Sequence, residues 1–438
     1  MGAAVGAPKM SAHARRLMAQ RARLFGPNVP HFYDDPVHFV RGKGVWLFDH
    51  AGRRYLDCYN NVPHVGHCHP RVVEAIQRQT SLLNVHSRYL HENIIEYAER
   101  LLSTFDRSLS TLLYTCTGSE ANDVALRMAQ SVTGNKGLIV TDFTYHGNTA
   151  LVMELATLLP REDGHSPWLR TVPAPDSYHL ERGERHAVDM GTRVLRHLDA
   201  AIASLKAEGH GVAALLICPI FANEGFPDLP PGLVAALARQ VRKAGGVVIA
   251  DEVQSGFGRT GTAMWGHQHA GFVPDIATLG KPMGNGYPIG GVVAREAIMH
   301  GFRTKNMYFN TFGANPVAAA AAMATLDVID DERLIDNAAR VGAYAKARFR
   351  QLAKRFPQIG DIRGAGLFFG GEFVRSRKTR EADAALAKTV MNRMREEGVV
   401  MGLIGTRNNL LKIRPPMPFS TKHADLLFET LEHVLRRL

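Results

Sequence analysis

Cysteine is scarce in this chain, with four among 438 residues: Cys58, Cys68, Cys116 and Cys218. They are irregularly spaced and form no CxxC pair, which argues against a disulfide framework or a zinc ribbon and suits a reducing compartment. No apolar run approaches the roughly 20 residues needed to span a bilayer, and no secretory hydrophobic segment opens the chain. Internal repeats and low-complexity linkers are also lacking. Acid is missing from residues 1–33, which carry Lys9, Arg15, Arg16, Arg21 and Arg23. Such a segment resembles an organelle transit peptide, yet it leads straight into structured-looking sequence and reads as an N-terminal arm. The expected location is the cytoplasm, with the mitochondrial matrix as the alternative.

What is present is an ordinary globular composition, 45% hydrophobic and 21% charged, which excludes collagen, coiled coil and wholesale disorder. Lys and Arg (52) exceed Asp and Glu (41), a net charge of +11 that favours anionic ligands. The excess is scattered. Its one dense run, Arg375–Arg380 (RSRKTR), has no interleaved aromatics and reads as a solvated loop rather than a nucleic-acid contact.

Short apolar runs alternate with helical patterns through the middle of the chain. Thr111–Thr115, Gly137–Thr141, Val212–Ile217, Gly246–Ala250 and Ile276–Leu279 read as buried strands. Between them, Ala121, Val124, Ala125, Met128 and Ala129 fall at helical spacing. This alternation predicts an α/β fold with a mostly parallel sheet in a large domain, whose ligands sit beyond the carboxyl ends of the strands. A smaller α+β domain from both chain ends is expected beside it. The expected divisions are 1–75 for the arm and part of the small domain, 76–320 for the large domain, and 321–438 for the rest of the small domain.

Gly256–Gly261 spells GxGxxG after a strand-like run. A dinucleotide fingerprint also needs a helix opening within it and an acid about 20 residues on, and neither follows here. Asp251 ends a strand-like run, where a buried carboxylate needs a cationic partner such as a protonated ring nitrogen. Lys281 follows another strand among glycines and could serve as a nucleophilic amine, or it could be a surface lysine in a loop. Thr117-Gly118-Ser119 opens a helix and could cradle phosphate, or Ser119 could be a plain N-cap. Tyr145-His146-Gly147 puts an aromatic ring at the same sheet edge, for stacking or for loop packing. Taken together, phosphate cradle, aromatic platform, buried Asp and amine-bearing Lys match the needs of pyridoxal phosphate.

Five motifs in order, Thr117–Asn122 (TGSEAN), Tyr145-His146-Gly147, Asp251–Gly261 (DEVQSGFGRTG), Gly280–Gly286 (GKPMGNG) and Asn310–Pro316 (NTFGANP), make the chain resemble the class III, fold-type I pyridoxal-phosphate aminotransferases over essentially its whole length. The resemblance implies that Lys281 carries the cofactor and shuttles the proton while Asp251 pairs with the ring nitrogen. It implies that Gly118 and Ser119 bind the phosphate, that Tyr145, with His146 beside it, and Val253 cover the two ring faces, and that Gln254 approaches the phenolic oxygen. It also implies a homodimer in which Thr311 reaches the cofactor phosphate of the neighbouring subunit. Asn60–Pro70 (NNVPHVGHCHP), Asn84–Ile94 (NVHSRYLHENI) and Leu411–Pro416 (LKIRPP) are similar to the branch holding alanine–glyoxylate aminotransferase and the phosphoethanolamine phospholyases. Asn60, Arg88 and Arg414 from these segments, and Arg407, near but not squarely on the family's substrate-binding Arg position, are the candidate substrate-binding residues, with Lys412 a further candidate for an anion.

His64, His67, Cys68 and His69 lack metal-ligand spacing and read as a turn before a helix starting at Pro70, so no metal is expected. One departure stands out: many class III members have Glu-Pro-x-x-Gly where this chain has Cys218-Pro219-Ile220-Phe221-Ala222. There, the Glu neutralises a substrate-binding Arg, and Cys218 cannot. The expected activity is transfer of an amino group from a primary, terminal amine to a keto acid such as pyruvate or glyoxylate. The alternative is elimination of phosphate from an amino alcohol phosphate.

Overall fold

The computed structural model describes residues 12–26, 31–159, 164–181 and 183–438. The basic arm contributes the helix Ala12–Phe25; its residues 1–11 and 27–30 lie outside the described residues. The central sheet has seven strands in the order Thr111–Thr115, Gly290–Ala294, Ile276–Leu279, Val247–Asp251, Ala214–Ile217, Leu138–Thr141, Leu169–Val172. All neighbouring pairs are parallel except those made by Gly290–Ala294, which runs antiparallel to both its neighbours. Leu138–Thr141, Ala214–Ile217 and Ile276–Leu279 are buried at every residue. Helices cover both faces of such a sheet, which is why these strands read as unbroken apolar runs rather than alternating ones.

The helix Gly118–Thr133 buries Ala121, Val124, Ala125, Met128 and Ala129, as their spacing predicts. The alanine-rich helix Pro316–Asp331 starts with Pro at its first turn, and its N-cap Asn315 accepts from the Ala318 amide. The chain ends meet: Val399–Val400 joins the N-terminal strand Arg54–Asp57 in parallel, extending the sheet of Phe39–Lys43 and Trp46–Asp49. A third sheet holds Ile359–Ala365, Phe368–Ser376, Leu410–Ile413 and Gly402–Ile404. No helix among the described residues is long and apolar enough to cross a membrane.

The GxGxxG segment is a packed loop. A Cβ on Gly261 would sit 2.5 Å from the Ala339 amide nitrogen, and one on Gly258 would sit 2.4 Å from Ile335 Cγ1. Its glycines therefore allow close approach to the helix Leu334–Arg355 rather than to a nucleotide. The three histidines near residue 66 turn to separate partners: His64 to the Phe257 carbonyl, His67 to Asp57 and His69 to Glu332.

Candidate active site

Because five neighbouring strands are parallel, their carboxyl ends share one edge, and residues just past the strand ends line a cavity of about 320 Å³. Gly118, Ser119, Tyr145, His146, Asp251, Val253, Gln254 and Lys281 all border it. These are the cofactor-binding candidates except Thr311.

The helix start at Gly118 is shaped by a reciprocal cap. Thr117 Oγ1 accepts from the Glu120 amide at 3.1 Å, while Glu120 Oε2 accepts from the Cys116 and Thr117 amides at 2.6 and 3.2 Å. Thr117, not Ser119, is thus the N-cap, and the Ser119 hydroxyl is left at the cavity. Among the described residues, the Gly118 and Ser119 amides have no acceptor, which makes them donors for an anion at the positive helix end. The fit is tight. A Cβ on Gly118 would lie 2.8 Å from Val253 Cγ2, and one on Gly147 would lie 2.5 Å from Ser119 Oγ.

Asp251, 6% exposed, is clamped from two sides. Its Oδ2 accepts from Asn122 Nδ2 at 3.0 Å and lies 2.6 Å from His146 Nδ1, while Oδ1 accepts from the Val253 amide at 3.0 Å. Thr144 Oγ1 sits 3.0 Å from His146 Nε2. The tautomer that satisfies both contacts donates from Nδ1 to the carboxylate and accepts the hydroxyl proton at Nε2. Asn122 is itself fixed, donating to the His146 carbonyl at 2.7 Å and accepting from Thr278 Oγ1 at 2.6 Å.

Lys281 is open to the cavity, yet surrounding protein takes its amine largely out of bulk water. That desolvation pushes its pKa down, and the nearby Arg414 guanidinium pushes it further. Gln254 is the meeting point of three polar chains. Its Oε1 accepts from Arg414 Nη1 at 2.6 Å and Lys412 Nζ at 3.3 Å, and its Nε2 donates to Asn223 at 3.3 Å. Arg414 also donates to the Tyr59 carbonyl at 2.9 Å and stacks over that ring. Lys412 lies 5.4 Å above the Phe368 ring, and burial, with Arg414 and Lys281 nearby, holds its pKa well below the usual lysine range. Cys218 borders the cavity as a buried thiol whose pKa burial pushes up.

Other candidates lie elsewhere. Arg407 pairs with Asp176 at 2.7 Å, half exposed. Arg88 is exposed and stacks over Phe309 at 3.9 Å. Asn60 caps the Asp57 carboxylate, and Thr311 sits in an exposed turn held by Asn310. The sequence reading did not single out Asn122 for a role of its own. A polar residue on the apolar face between Ala121 and Ala125 was the available signal, since a buried amide must find partners.

Orphan helix-end amides, a cradle that a Cβ would fill, a clamped carboxylate and a desolvated lysine amine fit pyridoxal phosphate. The sheet topology is that of a fold-type I pyridoxal-phosphate enzyme. Residues 29–435 match the family described as "Aminotransferase class-III", and the chain belongs to that family of enzymes. A structure described as a phospholyase from Arthrobacter in complex with phosphoethanolamine superposes with a TM-score of 0.93 at 46% identity, covering 96% of this chain and all of that one. A Drosophila melanogaster protein named "Alanine--glyoxylate aminotransferase 2-like" is 40% identical over 90% of this chain and 81% of its own length. The Caenorhabditis elegans "Ethanolamine-phosphate phospho-lyase homolog 1" is 36% identical over 99% of this chain and 96% of its own.

Proposed function

We propose that this enzyme holds pyridoxal phosphate on Lys281 and acts on a terminal primary amine that carries a phosphate group, releasing that phosphate. The observation that carries this reading is the pair Lys412 and Arg414. Both are buried beside the cavity, and among the described residues neither makes a salt bridge. Glu224 and Asp57 act on them only from a distance, and buried cations with no carboxylate in contact are costly and gain from an anion; a phosphate supplies more charge than a carboxylate. Cys218 adds to this, because it offers no carboxylate to neutralise Arg414 for a second, uncharged substrate.

When bound, the cofactor supplies an electron sink for the carbon bearing the amine. Gly118, Ser119 and the helix end would hold its phosphate, Tyr145 and Val253 would bracket its ring, and Asp251, oriented by Asn122 and His146, would pair with the ring nitrogen. Lys281 Nζ, its pKa lowered, takes the proton from the amine-bearing carbon. Lys412 and Arg414 grip the substrate phosphate and stabilise its charge as the C–O bond breaks; water then completes conversion to aldehyde and ammonia. Phosphoethanolamine, the ligand of the Arthrobacter relative, is the first substrate to try.

Transfer to a keto acid such as pyruvate or glyoxylate is the second reading. It shares the first proton transfer, and family membership supports it. Assaying phosphate and ammonia with and without pyruvate separates them: release independent of pyruvate is expected, and an absolute need for the keto acid would favour transfer.

The exposed apolar side chains Tyr89, Leu90, Met307 and Phe312 suit an interface in a homodimer, which would bring Thr311 to the neighbouring cofactor phosphate. Light scattering of the holoenzyme tests the dimer. The four unpaired thiols suit the cytoplasm rather than an oxidising compartment.

A further inference from the structure

Beside the active site lies a second, larger cavity of about 720 Å³, between the proline-rich loop 226–232 and the helix Leu334–Arg355. Its wall is aromatic and apolar: the Phe226 and Phe368 rings tilt together 5.4 Å apart, with Pro227 and Pro230 alongside. Three charged side chains face it with hydrogen-bonding capacity to spare. Lys346 Nζ donates to the Gly364 carbonyl at 2.6 Å, which leaves two of its N–H groups. The Arg350 guanidinium and the Asp228 carboxylate have no hydrogen-bond or ion-pair partner among the described residues. Asp228 feels both cations, so the three lie within electrostatic reach of one another. Partial burial meanwhile pushes the Asp228 carboxyl up and the Lys346 amine down, so each gains from a ligand of opposite charge.

We infer that this cavity binds a zwitterionic amino acid with an aromatic or large apolar side chain, its carboxylate on Lys346 and Arg350, its ammonium on Asp228, and its side chain against Phe226 and Phe368. A simple anion would leave Asp228 unpaired, and a simple amine would leave both cations so; a zwitterion gives every charged group a partner. The cavity is separate from the catalytic one but shares a wall with it. Pro219 and Ile220 border the second cavity, while the adjoining Cys218 borders the first.

Because an amino acid could also enter the catalytic cavity, the test uses holoenzyme in which borohydride has fixed the cofactor to Lys281. Loss of the yellow absorbance with the cofactor's mass retained verifies that block and the reading it rests on, independently of the second site. L-phenylalanine is titrated calorimetrically against this protein, beside 3-phenylpropionate and phenethylamine. Saturable phenylalanine binding is expected, with both analogues about tenfold weaker or more. The variants Arg350→Ala and Asp228→Asn, both at exposed positions, are each expected to weaken it by a similar factor while keeping the cofactor spectrum. No saturable binding, equal binding of 3-phenylpropionate, or unchanged binding by both variants would overturn the inference.

Discussion

Replacing Lys412 with Met separates what this residue costs the fold from what it gives the site. Lys412 is 4% exposed, its amine donating to Gln254 Oε1 at 3.3 Å above the Phe368 ring. Substituting an apolar side chain of similar length for a buried, unpaired cation is expected to stabilise the protein by about 2 kcal/mol. In a chain this long that corresponds to a rise in Tm of about 2 °C. The pH dependence has a definite sign. Because the folded-state pKa of Lys412 lies well below the unfolded value, the unfolded chain binds the extra proton between the two, and the lysine's contribution to stability rises with pH across that window. The advantage of the Lys412→Met variant should therefore be greatest below the folded pKa and shrink towards the unfolded value near 10.5. Function should move the other way. A charged hydrogen bond to phosphate is worth about 1.5–3 kcal/mol, so KM for phosphoethanolamine should rise about 10- to 150-fold. KM for an uncharged primary amine should stay put. Differential scanning calorimetry and steady-state kinetics read the two effects; a lowered Tm, or equal KM changes for both amines, would refute the reasoning.

Three further outcomes follow from the geometry. In Gly118→Ala the new Cβ meets Val253 Cγ2 at 2.8 Å and must displace the helix start, so cofactor affinity measured after dialysis should fall by about tenfold or more, with little change in the far-UV spectrum. Asp251→Asn keeps the shape of the clamp but removes its charge, so kcat should fall by about 100-fold or more while the cofactor remains bound, read by kinetics beside absorbance. Thr117→Ala removes the acceptor for the Glu120 amide and should cost about 1 kcal/mol of stability in denaturant unfolding.

The strands Thr111–Thr115 and Ile276–Leu279 were legible because each is a short, largely apolar run between turn residues, a purely local signal. The antiparallel course of Gly290–Ala294 was not, since direction depends on where the chain re-enters the sheet. The cofactor residues could be located because strand ends are marked locally and parallel strands put their ends on one edge. Their support was hidden in pairings across the chain: Asn122 reaches Asp251 over 129 positions, and Arg414 reaches Gln254 over 160. Lys412 and Arg414 both reach Gln254, as alternate residues of an extended segment can. Arg407 could not be placed from the sequence, because its pairing with Asp176 joins a loop to one 231 positions away.

The most direct test of the central claim is the absorbance of the holoenzyme mixed with phosphoethanolamine and no keto acid, with free phosphate counted per Lys281. The yellow form is expected to persist while many phosphates are released per site. Bleaching to the colourless amine form, without phosphate, would contradict phosphate elimination and point to amino-group transfer.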